Sequence, residues 1–285
     1  MEQQQEVNGR VITITSGKGG VGKTTTTANL GAALAARGRS VVLLDADIGL
    51  RNLDIVLGLE NRIVYDIVDV VEGRCRLRQA MIRDKRLNNL YLIPAAQTRD
   101  KEAVSPQQMR ALCEELRRQF DFILIDSPAG IEQGFRNAIA GADEVIVVTN
   151  PEVSSVRDAD RIVGLVEAAE LPVPRLIVNR IDPELVRRGD MMSVEDVTEI
   201  LSIPLLGLVP DDETIITATN RGEPVALDPI SRAGQAFRNI AARLLGEDVP
   251  FMVLEAPDGA WRRLLRALGF GGSRQGQAVR GGGAG

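Results

Sequence analysis

Short apolar runs alternate with amphipathic segments along most of the chain, and this alternation predicts the fold. The runs, which are rich in β-branched residues, lie at 11–15, 41–45, 90–94, 122–126, 145–149, 175–179 and 205–209. Such continuous runs are typical of strands that are buried on both faces of a sheet. The intervening stretches have helical spacing, as in TTTANLGAALAARG, where a glycine marks the helix end. The pattern predicts an α/β fold with a doubly wound, mostly parallel sheet that is flanked by helices on both faces.

The pattern changes toward both ends of the chain, and these changes predict its organisation. Residues 1–10 are expected to be a flexible N-terminus, and residues 11–245 to form one α/β domain. A linker is predicted at 246–258 and a short amphipathic helix at 259–270. Residues 271–285 are predicted to be a disordered tail, because they are rich in glycine and poor in apolar side chains.

The segment 259–270 has two chemically different faces when it is drawn as a helix of about 100° per residue. One face carries the apolar side chains of Trp261, Leu264, Leu265 and Leu268. The opposite face carries the basic side chains of Arg262, Arg263 and Arg266. This arrangement predicts a helix that lies on the surface of an anionic membrane. The alternative is a terminal helix that packs on the domain's own core.

The composition limits the possible chemistry. The chain has 285 residues, 44% of them hydrophobic and 26% charged, which is ordinary for a globular protein. Its net charge of -5 argues against coating nucleic acid by bulk charge. There is no histidine, so a Ser-His-Asp triad and a His-ligated zinc site are excluded. The two cysteines, Cys75 and Cys113, form no Cys-x-x-Cys pair. Chemistry must therefore rest on Lys, Asp, Thr, backbone amides and a bound cation.

A glycine-rich loop, GKGGVGKT at 17–24, matches the phosphate-loop pattern G-x-x-x-x-G-K-[ST] between a predicted strand and a predicted helix. Inward-pointing amides and the helix N-terminus favour phosphate there. Lys23 can bridge the β- and γ-phosphates, and the Thr24 hydroxyl can bind Mg²⁺. The predicted nucleotide-binding residues of this loop are Gly17, Lys18, Gly19, Gly20, Val21, Gly22, Lys23, Thr24 and Thr25. The alternative is a glycine-rich turn with an incidental lysine.

Aspartates follow two of the predicted strands, at the edge where α/β sheets bind ligands. Asp126 ends FILID and is predicted to hold Mg²⁺ through a water molecule. Asp47 lies just past the run 41–45, where a loop could lead away from the γ-phosphate. Asp45 is the competing candidate, although it closes the strand and is compatible with a structural role.

The loop KGGVGKT resembles the deviant Walker A motif of the ParA/MinD family of ATPases. Further segments resemble the division-site branch of that family, namely DADIGLRNLDIVLGLENRIVYDIVDV, PAAQTRDKEAV, TNPEVSSVRDADRI, RGDMMSVEDV and TNRGEPV. The resemblance covers about residues 10 to 245 and implies a P-loop ATPase domain over 11–245. It also implies that Lys18 reaches the partner's phosphates across an ATP-bound homodimer and that Asp47 polarises the attacking water. Lys18, Lys23 and Asp47 are then the catalytic residues.

The same resemblance suggests how the base is recognised. Asn179 resembles the residue that hydrogen-bonds adenine, with Arg180 beside it. The segment VPDD, with Pro210 and Asp212, resembles the loop that covers the other side of the base. The choice of ATP, with Mg²⁺, rests on this resemblance.

The resemblance further implies partners and a location. Glu152 would meet Lys18 of the partner subunit, and a partner-binding helix would use Ser154, Asp158 and Asp160. A solvated helix face is the alternative for these three residues. The implied partners are a MinC-like division inhibitor, a MinE-like topological factor and the anionic phospholipid surface on the cytoplasmic face of the inner membrane. Nucleic acid is not an expected partner. Two other interpretations stay open, a ParA-like DNA-partitioning ATPase and a flagellar-number regulator.

Overall fold

The computed structural model of the protein describes residues 8–100 and 103–254, and its centre is an eight-stranded sheet. In chain order the strands are β1 (Arg10–Thr15), β2 (Val41–Asp45), β3 (Ile82–Arg83), β4 (Leu90–Ile93), β5 (Phe122–Asp126), β6 (Glu144–Thr149), β7 (Arg175–Ile181) and β8 (Leu205–Pro210). Their order across the sheet is β3-β4-β2-β5-β1-β6-β7-β8. All neighbours are parallel except β3 and β4, which run antiparallel at one edge. The predicted fold class is therefore confirmed.

Helices connect the strands and cover the sheet. The α-helices of the described residues are α1 (Lys23–Ala36), α2 (Leu53–Leu57), α3 (Ile67–Val71), α4 (Leu77–Ala80), α5 (Pro106–Arg117), α6 (Gln133–Ile139), α7 (Val153–Ala168), α8 (Pro183–Arg188), α9 (Val194–Leu201), α10 (Thr214–Asn220) and α11 (Arg232–Leu244). Several begin at side-chain caps that the sequence supplies. The Ser105 hydroxyl, for example, accepts from the backbone N–H of Gln108 at the start of α5.

Hydrophobic side chains pack on both faces of the sheet. Because side chains alternate along a strand, Ile12 and Ile14 of β1 join the cluster that contains α1 and α11. Val11 joins a second cluster that contains α5. Each large side chain that is fully buried in these layers, such as Phe237, contributes about 1.5–3 kcal/mol to folding. Burial on both faces explains why the strands read as continuous apolar runs.

The described residues up to Met252 belong to one compact unit. Residues 247–252, which the sequence analysis assigned to a linker, pack on α11. Arg243 donates to the carbonyls of Val249 (2.9 Å) and Pro250 (2.8 Å), and its guanidinium carbon lies 4.2 Å from the ring centroid of Phe251. The predicted membrane helix at 259–270 lies outside the described residues. Within the described part of the chain, every helix is too short or too polar to cross a membrane.

Candidate active site

The phosphate loop lies between the carboxyl end of β1 and the N-terminus of α1. Gly22 is the residue before α1 and has a left-handed conformation (φ 95°), which turns the chain into the helix. The carboxyl ends of β2 and β5 lie close by, with Asp45 and Asp126 directly opposite in register. The parallel sheet therefore brings the predicted loop and the predicted carboxylates to one edge.

Asp126 is the common partner of the two loop residues that were predicted to bind phosphate and metal. The Lys23 ammonium lies 2.9 Å from its Oδ1, and the Thr24 hydroxyl donates to its Oδ2 at 2.6 Å. Both charged groups are buried, with 7% of Lys23 and 1% of Asp126 exposed. A carboxylate beside a hydroxyl is the hard oxygen donor set that Mg²⁺ prefers. Within the described residues, no three His, Cys, Asp or Glu side chains are grouped as a metal cage.

Asp45 holds both ends of the loop that carries Asp47. Its Oδ1 accepts from the Asp47 N–H at 3.0 Å, and its Oδ2 accepts from the Leu53 N–H at 3.3 Å. Burial raises the pKa of Asp45 to about 7, and the nearby charge of Asp126 adds to that rise. The loop therefore has a fixed start and a fixed end, and Asp47 stands at its start with 9% of its surface exposed. These bonds support the structural interpretation of Asp45.

Lys18 points along the surface toward the start of α7. Its ammonium lies 3.7 Å from Glu152 Oε2 and donates to Ser154 Oγ at 3.1 Å. The Lys18 and Glu152 side chains are 45% and 53% exposed, so the pair contributes at most about 1 kcal/mol and exchanges easily. Glu152, predicted to meet Lys18 of a partner subunit, thus meets Lys18 within one chain.

Helix α7 forms a wall of the phosphate loop. A Cβ atom on Gly17 would lie 2.2 Å from the Asp158 carbonyl oxygen, so only glycine lets the loop come this close. The Asp158 side chain pairs with Arg161 at 3.4 Å, and Asp160 is exposed. The predicted partner residues Ser154, Asp158 and Asp160 therefore lie on the helix that the nucleotide loop touches.

Asn179, which the resemblance predicts to contact adenine, lies against the phosphate loop. Its Nδ2 donates to the Val21 carbonyl at 2.7 Å, which places the amide against the phosphate loop. Its Oδ1 is buried and has no hydrogen-bond partner among the described residues. A buried acceptor without a partner costs free energy, and an exocyclic amino group would satisfy it. Arg180 beside it is exposed and has a positive φ of 57°.

Asp212, predicted to lie in a loop that covers the base, caps two helices instead. Its carboxylate accepts from Thr214 N (2.9 Å) at the start of α10, and from Ala233 N (3.1 Å) and Ser231 Oγ (3.1 Å) at the start of α11. Burial opposes ionisation, but these hydrogen bonds outweigh it and lower the pKa of Asp212. The carboxylate thus links the N-termini of α10 and α11. If this segment contacts the base, the backbone after Pro210 would make the contact instead of the Asp212 side chain.

A phosphate loop at the end of a parallel strand, a buried Lys–Asp–Thr cluster and an adjacent aspartate loop define a P-loop nucleotide hydrolase. Residues 12–225 match the family profile described as the CobQ/CobB/MinD/ParA nucleotide binding domain. The septum site-determining protein MinD of Bacillus subtilis is 61% identical over 249 residues, which are 87% of this chain and 93% of that protein.

Solved structures of MinD proteins are also similar to this chain. A MinC:MinD cell division protein complex of Aquifex aeolicus has a chain that is 50% identical, with a TM-score of 0.81, over 86% of this chain and 99% of that one. The septum site-determining protein MinD of Pyrococcus horikoshii, complexed with Mg-ADP, is 34% identical with a TM-score of 0.75, over 82% of this chain and 95% of that one. The chain belongs to the MinD/ParA family of nucleotide-binding proteins. It is an ATPase, and its MinD relatives place it with the cell-division proteins of that family.

Proposed function

We propose that this chain is a Mg²⁺-dependent ATPase that dimerises on ATP, binds the inner membrane through residues 259–270 and recruits a division inhibitor. The observation that carries the proposal is the position of Lys18. It belongs to the phosphate loop, yet its ammonium contacts Glu152 and Ser154 on an exposed surface. A cation in that position is suited to serve a nucleotide in a facing subunit.

Within one subunit, Lys23 and Asp126 would exchange partners when a nucleotide binds. Their buried ion pair at 2.9 Å keeps both side chains at the phosphate loop. Phosphate oxygens would replace Asp126 as partners of the Lys23 ammonium. Asp126 and Thr24 would then be available to hold Mg²⁺. When bound, Mg²⁺ would offset the charge on the phosphate oxygens. Asp47, on the loop that Asp45 fixes, would orient the attacking water.

Lys18 would supply charge to the second site of the dimer. To do so it must leave Glu152 and Ser154, and that exposed contact costs little to break. In the partner's site it would stabilise charge that develops on the transferring phosphate, as an arginine finger does. Hydrolysis would then require the dimer, which links the nucleotide state to the oligomeric state.

Binding to the membrane would depend on the same coupling of nucleotide state to dimerisation. One amphipathic helix of this length binds weakly, whereas two on a dimer gain ~10²–10⁴ in apparent affinity. Similarity to the chain in a MinC:MinD complex supports a MinC-like inhibitor, with Ser154, Asp158 and Asp160 as the proposed contacts. A MinE-like factor would stimulate hydrolysis and release the protein.

Co-sedimentation with anionic phospholipid vesicles tests the proposal, with Mg-ATP compared with Mg-ADP. The full chain should sediment only with Mg-ATP, and truncation before Trp261 should abolish this without loss of ATP binding. Zwitterionic vesicles, which offer the arginine side chains no net anionic surface, are the matched control. Equal sedimentation with ADP, or capture of the truncated chain, would contradict the proposal. Binding to DNA without binding to vesicles would favour a partition ATPase instead.

A further inference from the structure

The far end of α2 touches the loop that follows α10. Gly58 ends α2 with a φ of 64°, and Gly222 follows α10 with a φ of 63°. A Cβ atom on Gly222 would lie 2.4 Å from Gly58 Cα, so the two backbones are in direct contact. Two segments that are far apart in sequence are thus packed together without an intervening side chain.

Arg86, in the turn between β3 and β4, fastens this contact. Its Nη1 donates to the Gly222 carbonyl at 2.7 Å, and its Nη2 donates to the Leu57 carbonyl at 2.8 Å. Asp84, whose side chain is 2% exposed, holds the guanidinium through Nη2 at 2.9 Å. A planar guanidinium suits this task, because it presents several donors in fixed directions. Arg86 therefore joins the carbonyls of two separate segments.

One of these segments leads to the proposed catalytic loop. Helix α2 has only five residues, and its first residue, Leu53, is bonded to the Asp45 carboxylate. The other oxygen of that carboxylate holds the Asp47 N–H at 3.0 Å. This short helix therefore links the Leu57 carbonyl that Arg86 holds to the carboxylate that holds Asp47.

The other segment leads to the proposed base site. The N–H of Thr214, the first residue of α10, donates to Asp212 at 2.9 Å. The Asp211 N–H donates to the Ile181 carbonyl at 3.0 Å, at the end of the strand that carries Asn179. A hydrogen-bonded path of backbone and side chains thus runs from the Asn179 strand through α10 to Gly222 and Arg86.

We propose that Arg86 is a positioning residue that couples recognition of the base to the placement of Asp47. The proposal rests on the proposed roles of Asn179 and Asp47. A base that donates to Asn179 would fix the segment after Pro210 in one conformation. Arg86, which binds the Gly222 carbonyl, would transmit this constraint to α2. Arg86 touches neither the base nor the phosphates in this scheme, so its loss should affect turnover more than binding.

Steady-state ATPase kinetics of the full chain with vesicles test the coupling, with ATP compared with inosine triphosphate. Inosine presents a carbonyl where adenine presents its amino group, so the group at this position cannot donate to Asn179 Oδ1. In the unaltered protein kcat should be at least about fivefold higher with ATP, the lower end of typical couplings. Arg86→Ala should bring the two kcat values within about twofold of each other while the KM preference for ATP persists. Arg86→Lys, which keeps one donor group, should restore part of the ratio.

Arg238→Ala is the matched control. Arg238 also donates to three carbonyls, those of Ala226 (2.9 Å), Asp228 (2.7 Å) and Pro229 (3.4 Å), none of which belongs to α2 or to Gly222. Its removal should lower the melting temperature as much as removal of Arg86 and leave the kcat ratio unchanged. The coupling is overturned if Arg86→Ala keeps the ratio or if Arg238→Ala lowers it equally. Equal KM values for the two nucleotides in the unaltered protein, or hydrolysis by Asp47→Ala, would instead refute the proposed site and the coupling with it.

Discussion

Replacing Lys18 with alanine should remove hydrolysis while it changes the stability of the fold only slightly. The substitution removes only an exposed ion pair at 3.7 Å and one exposed hydrogen bond at 3.1 Å. Exposed pairs contribute 0–1 kcal/mol, so the free energy of unfolding should fall by less than about 1 kcal/mol. Lys23 and the loop amides stay in place, so the variant should still bind ATP.

The same change should remove hydrolysis almost completely. A cation supplied to the transferring phosphate from a second subunit raises kcat on the order of 10³–10⁵-fold. Urea unfolding, ATP titration calorimetry and steady-state hydrolysis on the same preparation would give the three quantities. A small change in stability combined with a large loss of kcat is the expected pattern.

Mixing two inactive variants then decides whether Lys18 acts across the dimer. In a mixed dimer, the Lys18→Ala subunit keeps its own Asp47 and receives Lys18 from the Asp47→Ala subunit. Random pairing at equal amounts leaves about a quarter of all sites complete in a two-fold dimer. Hydrolysis should therefore recover to about a quarter of the unaltered rate.

Failure of the mixture to recover would refute action across the dimer. If Lys18 serves its own nucleotide, every site in the mixture lacks either Lys18 or Asp47, and hydrolysis stays at the level of each variant alone. A loss of more than about 2 kcal/mol in Lys18→Ala would also contradict the reasoning, since exposed pairs do not contribute that much.

Further substitutions test other parts of the site. Asp45 has a folded pKa of about 7 against 3.8 unfolded, so only the native state keeps the proton between these values. The free energy of unfolding of the nucleotide-free protein should therefore fall with rising pH across that window, by at most about 4 kcal/mol. Asp45→Asn should abolish this fall in urea unfolding at pH 5 and pH 8, and a constant difference from the unaltered protein would contradict it. Gly17→Ala should weaken ATP binding about tenfold or more by calorimetry, because its Cβ would lie 2.2 Å from the Asp158 carbonyl oxygen. Gly164→Ala on α7, whose Cβ atom would meet nothing within 4 Å, should bind ATP normally, and equal losses would exclude this explanation. Asn179→Ala should lower ATP affinity about tenfold more than inosine triphosphate affinity, because the lost bond from Nδ2 to the Val21 carbonyl affects both nucleotides and only ATP also loses a bond to its amino group; equal losses would contradict the base assignment.

Most of the sheet could be predicted from the sequence, because strands that are buried on both faces must be apolar throughout. Strand β3 could not be predicted in this way. It has two residues, Ile82 and Arg83, and lies at the sheet edge with Arg83 exposed. A run that short has no periodicity to detect, and its pairing with Tyr91 and Leu92 depends on the turn between the strands.

The residues of the candidate site that lie together in one sequence motif could be predicted from the sequence. Lys23 and Thr24 follow from the loop motif, and the parallel sheet brings Asp126 to them. The loop anchored by Asp45 and the capping by Asp212 were not predictable, since both depend on N–H groups that the fold brings close. Sequence position alone does not distinguish a carboxylate that accepts from backbone N–H groups from a catalytic carboxylate.

Helix α7 offers a physical reason why the nucleotide state and the partner surface should be linked. The Lys18 ammonium contacts the Ser154 hydroxyl, and Ser154 is also a proposed partner contact. Gly17 lies so close to the Asp158 carbonyl oxygen of the same helix that a Cβ atom would not fit, so the phosphate loop packs directly on α7. If Lys18 crosses to a second subunit, the hydroxyl of Ser154 and the carboxylate of Glu152 are released at the surface. The surface offered to a partner would then differ between monomer and dimer even if α7 itself kept its backbone shape.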